Sequence, residues 1–155
     1  MKKNKIITKI LVPLDESEHS DRALNFALDL AEKYSAELVL LNVAQPFVAT
    51  GPMFLNQPMM LPENTVMYVN EIEAAHKKML EKALKKAKES RPNLTISKKL
   101  VNGRPADEIV EFAKIDNFDL IVMGSRGIGG IKEFFLGSVS DRVADQAHCP
   151  VLLVK

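Results

Sequence analysis

The chain has 155 residues, with 21 basic and 20 acidic side chains, a formal net charge of +1 and 46% hydrophobic residues. This length fits one domain, residues 1–155, which can bury about 68–70% of its unfolded surface without a disulfide or a metal. The single cysteine, Cys149, excludes a disulfide framework and is typical of a reducing compartment.

The near-neutral charge gives no sign of the concentrated basic surface that a nucleic-acid-binding protein presents. No apolar run approaches the roughly 20 residues of a membrane-spanning helix. Near the N-terminus, Lys9 interrupts the apolar stretch and Asp15 closes it, so a secretory signal is not predicted. We therefore expect a soluble, cytoplasmic protein with neither nucleic acid nor membrane as a partner.

The first part of the chain contains two strands, a helix and an irregular stretch. Residues 6–14 form an apolar strand, an amphipathic helix follows up to Tyr34, and residues 38–43 form a second strand. Residues 44–64 contain four prolines and Gly51, too many breakers for a regular element, and are predicted to be a variable loop. A loop this long suits a mobile cover or dimer element better than a dedicated ligand-binding segment.

The second part alternates helices and strands more regularly. Its predicted elements are a long amphipathic helix ended by Pro92, a strand at 94–101, a helix beginning at Pro105, a strand at 120–123, a helix at 138–147 and a strand at 151–154. Such alternation predicts an α/β domain with a parallel sheet. Right-handed crossovers would place helices on both faces. His76, on the apolar face of the long helix, is interpreted as a packed side chain.

A glycine pattern follows the fourth strand. Gly124 and Gly127 are followed, after nine further residues, by Gly137 and Ser138 at the start of a helix. Glycines let backbone N–H groups approach an anion, and a helix N-terminus adds donors, so this pattern could form a polyphosphate site. Alternatively, Gly127, Gly129 and Gly130 only turn the chain, and Ser138 caps the helix with Asp141 completing a capping box. The spacing alone leaves both interpretations open.

Two familiar phosphate loops are excluded. A P-loop would need lysine six residues after Gly124, where Gly130 stands. The dinucleotide fingerprint would need a glycine or alanine where Lys132 stands, and it belongs after the first strand rather than the fourth. The sequence thus supports neither a P-loop NTPase nor a nicotinamide-dependent dehydrogenase.

Asp15 stands where the first strand passes into its helix. Open α/β sheets bind ligands beyond the carboxyl ends of their strands, where the strand order reverses. If strands one and four are neighbours, Asp15 and Gly124 line one crevice, and Asp15 could bind a ribose hydroxyl or a magnesium ion. The alternative is an ordinary helix cap made by Asp15 with Glu18, or by Ser17.

Three stretches carry a resemblance to known proteins. They are residues 10–20 (Ile-Leu-Val-Pro-Leu-Asp-Glu-Ser-Glu-His-Ser), the glycine pattern from Gly124 to Ser138, and residues 149–154 (Cys-Pro-Val-Leu-Leu-Val). Together they resemble the universal stress protein family, and the similarity runs from about Lys5 to the C-terminus and skips the variable loop. The spacing Gly-x2-Gly-x9-Gly-Ser resembles the signature of the family's ATP-binding branch.

The resemblance implies a fold and a nucleoside site. The fold is a five-stranded parallel sheet of order 3-2-1-4-5, Rossmann-like and of the adenine nucleotide alpha-hydrolase type, with ATP over strands one and four. Pro13 and Asp15 would lie by the nucleoside, and the Val43 backbone would read the adenine edge. Met123 and Gly124 would flank the sugar.

The resemblance also implies a phosphate site, in which Gly127, Gly137, Ser138 and Val139 hold the phosphates, with magnesium as an optional companion of ATP. Arg126 lies in the same glycine loop and could meet a phosphate. Glu16 departs from the family pattern, because many members have glycine there. It adds a negative charge near the mouth of the site.

Taken together, these features predict an ATP-binding universal stress protein that acts as a nucleotide-dependent regulatory dimer in a stress response. The dimer would form through the C-terminal strand, residues 150–155, and an unidentified protein partner would sense the nucleotide. The alternative is a slow ATPase or phosphotransferase using the same site, although Asp15, Arg126 and Lys132 show no convincing catalytic arrangement in sequence. A third possibility is a dimeric interaction protein with an empty site.

Overall fold

The computed structural model describes residues 7–45, 63–128 and 136–155, which contain five strands and four helices. The elements are β1 (Lys9–Pro13), α1 (Glu18–Tyr34), β2 (Glu37–Ala44), α2 (Glu63–Ser90), β3 (Ile96–Asn102), α3 (Pro105–Ile115), β4 (Leu120–Gly124), α4 (Ser138–Gln146) and β5 (Val151–Val154). The predicted variable loop falls mainly on residues 46–62, outside the described residues. Within the described residues, no helix combines the length and apolar character needed to cross a bilayer.

The strands form one parallel sheet of order β3-β2-β1-β4-β5, which confirms the predicted fold class. Alternate side chains of a strand point to opposite faces, so β1 contributes to two cores. Ile10 and Val12 pack with the apolar residues of α1 and α2. Leu11 packs on the opposite face with those of α3 and with Val143 of α4. All five residues of β4 are buried, as expected for a central strand covered on both faces.

The strand order reverses at β1, and this reversal creates the site. Leu11 of β1 is in register with Val39 of β2 on one side and with Ile121 of β4 on the other. From this pair of strands, β2 and β3 extend the sheet on the β1 side and β5 extends it on the β4 side. The connections leaving β1 and β4 diverge to opposite faces, which leaves a crevice beyond their carboxyl ends. Strands one and four are neighbours, as the interpretation of Asp15 and Gly124 required.

Candidate functional site

A cavity of about 1090 Å³ lies over the carboxyl ends of β1 and β4, large enough for a small-molecule ligand. The structure brings together at this cavity every residue that the sequence assigned to the site. Those lining residues are Pro13, Asp15, Val43, Met123, Gly124, Arg126, Gly127, Gly137, Ser138 and Val139. They come from four separate parts of the chain, so their convergence depends on the sheet order. Their role in binding stays a prediction.

Asp15 connects the two loops that border the cavity. Its Oδ1 accepts a hydrogen bond from the Ser17 N–H at 3.1 Å, and its Oδ2 accepts one from the Ile128 N–H at 3.2 Å. The N-cap of α1 is Ser17, whose Oγ accepts from the Ser20 N–H. The cap interpretation is thus correct for Ser17 and wrong for Asp15, because the carboxylate points across to the loop after β4.

Gly124, which ends β4, and Gly127, in the loop after it, leave space for neighbouring groups rather than supply a turn. A Cβ at Gly124 would lie 2.8 Å from the backbone carbon of His19, and a Cβ at Gly127 would lie 2.6 Å from Asp15 Oδ2. Neither residue has a positive φ, and Gly137 has a φ of −64°. Any L-residue could adopt these backbone conformations, so the interpretation as a turn glycine is wrong for Gly127, whereas Gly129 and Gly130 lie outside the described residues. At Gly124 a backbone obstacle leaves no room for a side chain, whereas at Gly127 the obstacle is the end of the Asp15 side chain.

The N-terminus of α4 faces the cavity without a side-chain cap. Gly137 is the N-cap and Ser138 the first helical residue, so the predicted cap of Ser138 with Asp141 is wrong. The reason is that the Asp141 N–H bonds to the Gly137 carbonyl at 2.9 Å. The first N–H groups of a helix have no partner within it. In the part of the chain that the structure describes, no acceptor receives the N–H of Ser138, Val139 or Ser140.

The loop after β4 is nevertheless held firmly where it meets α4. Ser140 Oγ lies 2.8 Å from the Ser125 carbonyl and 2.9 Å from that of Gly137, and both carbonyls accept from this buried hydroxyl. The Gly137 N–H also donates to the Ser125 carbonyl, at 2.9 Å. These bonds fix the start of α4 against the end of β4. The free N–H groups of the helix are thereby positioned before any ligand arrives.

Four lining residues are ionisable among those described. Asp15 and Glu16 bring carboxylates, Arg126 brings a guanidinium group, and His76 brings an imidazole. Arg126 is half-buried, whereas Glu16 is exposed and has a φ of 64°. Lys132, which was weighed with Asp15 and Arg126 as part of a catalytic arrangement, lies outside the described residues.

One wall of the cavity was missed from the sequence. Ile72, His76 and Met79 of α2 line it, so His76 is a half-buried wall residue rather than a purely packed one. A length mismatch could have revealed this wall. The 28 residues of α2 span about 42 Å, whereas the eight residues of β2 span about 26 Å. The apolar stripe of α2 must therefore extend beyond the sheet, over its carboxyl edge.

Asn42 was also missed. It is buried at the cavity, and its Nδ2 donates to the Leu14 carbonyl at 2.7 Å. Since a carbonyl can only accept, this bond fixes which side of the amide carries the oxygen. That oxygen, Oδ1, is buried with no hydrogen-bond partner within the described structure. Buried acceptors are normally paired, so this oxygen is a candidate contact for a bound water or ligand donor.

His19 and Cys149, two residues with potentially reactive side chains, do not line the cavity. His19 Nδ1 is 3.3 Å from Ser125 Oγ, and neither side chain lines the cavity, so this pair is a packing contact beneath the site. Cys149 is half-buried before β5, and burial raises the pKa of its thiol. A thiol with a raised pKa is a poor nucleophile.

Known proteins resemble the chain in both sequence and structure. The sequence model of the Universal stress protein family matches residues 7–155. Universal stress protein YxiE from Bacillus subtilis (strain 168) is 40% identical over 151 residues, spanning 97% of this chain and 100% of that protein. Universal stress protein UspA from Lactobacillus plantarum has the same fold, with a TM-score of 0.79 at 24% identity, over 96% of this chain and 98% of that one.

A third similar protein carries information about a ligand. It is a universal stress protein whose crystal structure is of a complex with cAMP, with a TM-score of 0.70 and 27% identity, over 97% of this chain and 98% of that one. The resemblance seen in the three sequence stretches thus extends over nearly the whole chain. The chain belongs to the universal stress protein family.

Proposed function

We propose that the cavity binds an adenine nucleotide, ATP in particular, and that the protein is a nucleotide-dependent regulatory dimer. The observation that carries the proposal is the convergence of all ten predicted residues on one cavity at the reversal of strand order. The related protein crystallised with cAMP supports an adenine nucleotide as the class of ligand. On this proposal, residues 1–155 form one cytoplasmic domain whose nucleotide state is read by a partner protein.

The phosphate end of the ligand would lie at α4. The uncapped N–H groups of Ser138 and Val139, with the positive end of the helix dipole, offer donors to an anion. The Ser138 hydroxyl has no cap to make and is available as a further donor. Arg126, on the adjacent loop, supplies the positive charge.

The base end of the ligand would lie at Val43. Pro13 of β1 is in register with Leu41, and the Leu14 N–H bonds to the Leu41 carbonyl, so β2 extends beyond the end of β1. In the ladder, the backbone groups of Val43 face the β1 side, where β1 has already ended. They offer a donor and an acceptor side by side, which matches the N1 acceptor and N6 donor of adenine. Guanine carries the opposite pattern at these positions.

Magnesium would be bound mainly by the ligand. Within the described residues, no group of three or more His, Cys, Asp or Glu side chains is placed to hold a metal ion. Asp15 could contribute one carboxylate, and magnesium in nucleotide sites usually keeps several waters and takes the phosphates as ligands.

Regulation is favoured over phosphoryl transfer by the position of Asp15. Both of its oxygens accept backbone hydrogen bonds that hold the loops together. A catalytic carboxylate would need to orient a nucleophile instead. Arg126 is the only lysine or arginine among the described lining residues, which leaves little to neutralise the charge that develops during transfer.

A thermal-shift comparison tests the adenine site. A ligand that binds only the folded state stabilises it by about 2.7 kcal/mol at 100 times its dissociation constant, so ATP with magnesium should raise the melting temperature clearly. GTP should raise it less. Val43→Pro removes the N–H that faces the cavity but no hydrogen bond between strands, so it should abolish the preference for ATP over GTP. The control Val43→Ala keeps this N–H and should keep the preference.

The adenine assignment is wrong if ATP and GTP stabilise the parent protein equally, or if neither does. Mass spectrometry of gently purified protein gives an independent check, since a bound adenine nucleotide should co-purify with it.

The dimer would form through β5, which is one edge of the sheet. The carbonyls of Pro150 and Val154 accept hydrogen bonds from the β4 side, so the backbone groups of Val151 and Leu153 point outward. All four residues of β5 are half-exposed in the single chain. An apolar edge with free backbone groups is an aggregation hazard unless paired, and pairing with a second copy about a two-fold axis would cover it.

Light scattering on two variants tests this interface. Leu153→Pro removes an outward N–H and should convert the dimer to a monomer. Leu153→Ala shortens the same side chain but keeps the N–H, and it should remain dimeric. A Leu153→Pro variant that stays fully dimeric would place the interface elsewhere.

A further inference from the structure

Glu16 has a backbone conformation that glycine adopts far more readily. Its φ of 64° lies in the left-handed region, which costs a non-glycine residue about 1–2 kcal/mol. Two other described non-glycine residues have a positive φ: Ser35 is the C-cap of α1, and Asn117 follows the C-cap of α3, so in both places this conformation ends a helix. Glu16 ends no helix and lines the cavity. A strained residue at such a site is a reason to ask what its side chain does.

The carboxylate of Glu16 is the unbalanced charge of the cavity. Asp15 accepts two backbone hydrogen bonds, which compensate its charge in part. Glu16 forms no hydrogen bond or ion pair with any described residue. Among the described lining residues there are two carboxylates, Asp15 and Glu16, but a single guanidinium group, that of Arg126.

Glu16 lines the same cavity as the predicted phosphate loop and directly follows a residue that contacts this loop. Its neighbour Asp15 is hydrogen-bonded to the Ile128 N–H and is packed against Gly127. A triphosphate held by Gly127 and α4 would therefore bring several negative charges to the same mouth of the cavity. Like charges placed together in an interface oppose binding strongly unless a cation intervenes.

We infer that Glu16 sets the charge selectivity of the cavity: a nucleoside triphosphate binds as its magnesium complex, whereas a nucleoside monophosphate binds without a divalent cation. This inference rests on the proposed adenine-nucleotide site. It gives the strained residue a role that glycine could not fill, because glycine would relax the backbone but carry no charge.

Calorimetric titration at low ionic strength tests the inference, since salt would screen the charge of an exposed carboxylate. ATP and AMP are each titrated with magnesium and with EDTA. For the parent protein, removing magnesium should weaken ATP binding about tenfold or more and AMP binding less than about twofold. Glu16→Gln keeps the length of the side chain and removes its charge. This variant should recover most of the ATP affinity in EDTA and leave AMP binding within about twofold.

Glu18→Gln is the matched control, because it removes a charge two residues along the chain from a carboxylate that is 80% exposed and does not line the cavity. It should leave both nucleotides within about twofold of the parent. If ATP binding is insensitive to magnesium, or if Glu16→Gln and Glu18→Gln behave alike, the inference is wrong while the nucleotide site stands. If neither nucleotide binds under any condition, the proposed function itself fails, and the inference with it.

Discussion

The two loops that border the cavity use glycine in opposite ways. The end of β4 and the loop after it have glycines at 124 and 127, although neither has a positive φ. The turn after β1 has a residue with a φ of 64°, and that residue is Glu16. Glycine thus stands where the backbone does not need its conformational freedom, and is missing where the backbone would benefit from it.

The difference shows that a glycine in sequence has two separate physical meanings. At Gly124 and Gly127 it means that another group occupies the space of a side chain: the backbone of α1 in one case and the Asp15 carboxylate in the other. At position 16 the backbone would favour glycine, but the chain carries a charged side chain at a cost in stability. Substitutions at these positions separate the cost of lost space from the cost of backbone strain.

The largest effect is expected for Gly124→Ala. Its new Cβ would meet His19 and Ser20 backbone atoms, at 2.8 and 2.9 Å, in a buried strand end where neither partner can move. Overpacking of this kind costs about 3 kcal/mol at the upper end of its usual range. Gly127→Ala should cost only about 1 kcal/mol, because its Cβ meets the end of the Asp15 side chain, which can move. Urea denaturation measures both losses of unfolding free energy, provided that the m-value of each variant equals that of the parent protein.

A double-mutant cycle checks the cause at Gly127. If the clash is with Asp15 Oδ2, then Gly127→Ala should cost much less stability in an Asp15→Ala background than in the parent protein. Additive losses would show that the loop resists the substitution for another reason. Equal losses for Gly124→Ala and Gly127→Ala would contradict the distinction between a backbone obstacle and a side-chain obstacle.

The sequence predicted the fold well because each element carries a clear local signal. The apolar runs of β2 and β4, the breaker Pro92 and the N-terminal Pro105 place elements within a few residues of their observed bounds. The strand order came from the resemblance to a family, since periodicity cannot tell which strands are neighbours. The sheet order found in the structure confirms it.

The sequence predicted the site less completely than the fold, and it missed the hydrogen-bonding roles of three polar residues. Asp15 was weighed as a cap or a ligand contact, but its bond to Ile128 joins residues 113 positions apart, beyond any local pattern. Asn42 lay within an apolar strand, where a single polar residue gives no indication of its partner. Ser138 followed the pattern of a capping box, yet the helix begins one residue earlier than that pattern requires. Contacts between distant segments decide the partners of Asp15 and Asn42, whereas a local bond from the Asp141 N–H to the Gly137 carbonyl decides where α4 begins.

A smaller effect on stability is expected at the N-termini of α1 and α4, the two helices that begin at the cavity. Ser17→Ala removes the true N-cap of α1 and should cost about 1 kcal/mol of unfolding free energy. Ser138→Ala removes a hydroxyl that caps nothing, so its stability should change by less than about 0.5 kcal/mol, while ATP affinity should fall. Denaturation and calorimetric titration on both variants check this. A loss of about 1 kcal/mol at Ser138 would restore it as a cap.

A small gain of stability, opposite in sign to the losses above, is expected for Glu16→Gly. Glycine relieves a left-handed φ that costs about 1–2 kcal/mol, but it also loses more conformational entropy on folding, about 0.5–1 kcal/mol. The net gain should be about 0.5 kcal/mol. Asn117→Gly is the matched control, because asparagine tolerates its φ of 52° and the gain there should be smaller still. Thermal and urea denaturation measure both. If Glu16→Gly destabilises the protein, the Glu16 side chain must make stabilising contacts that outweigh the backbone strain. The strained backbone would then be no argument that the charge of Glu16 has a role in binding.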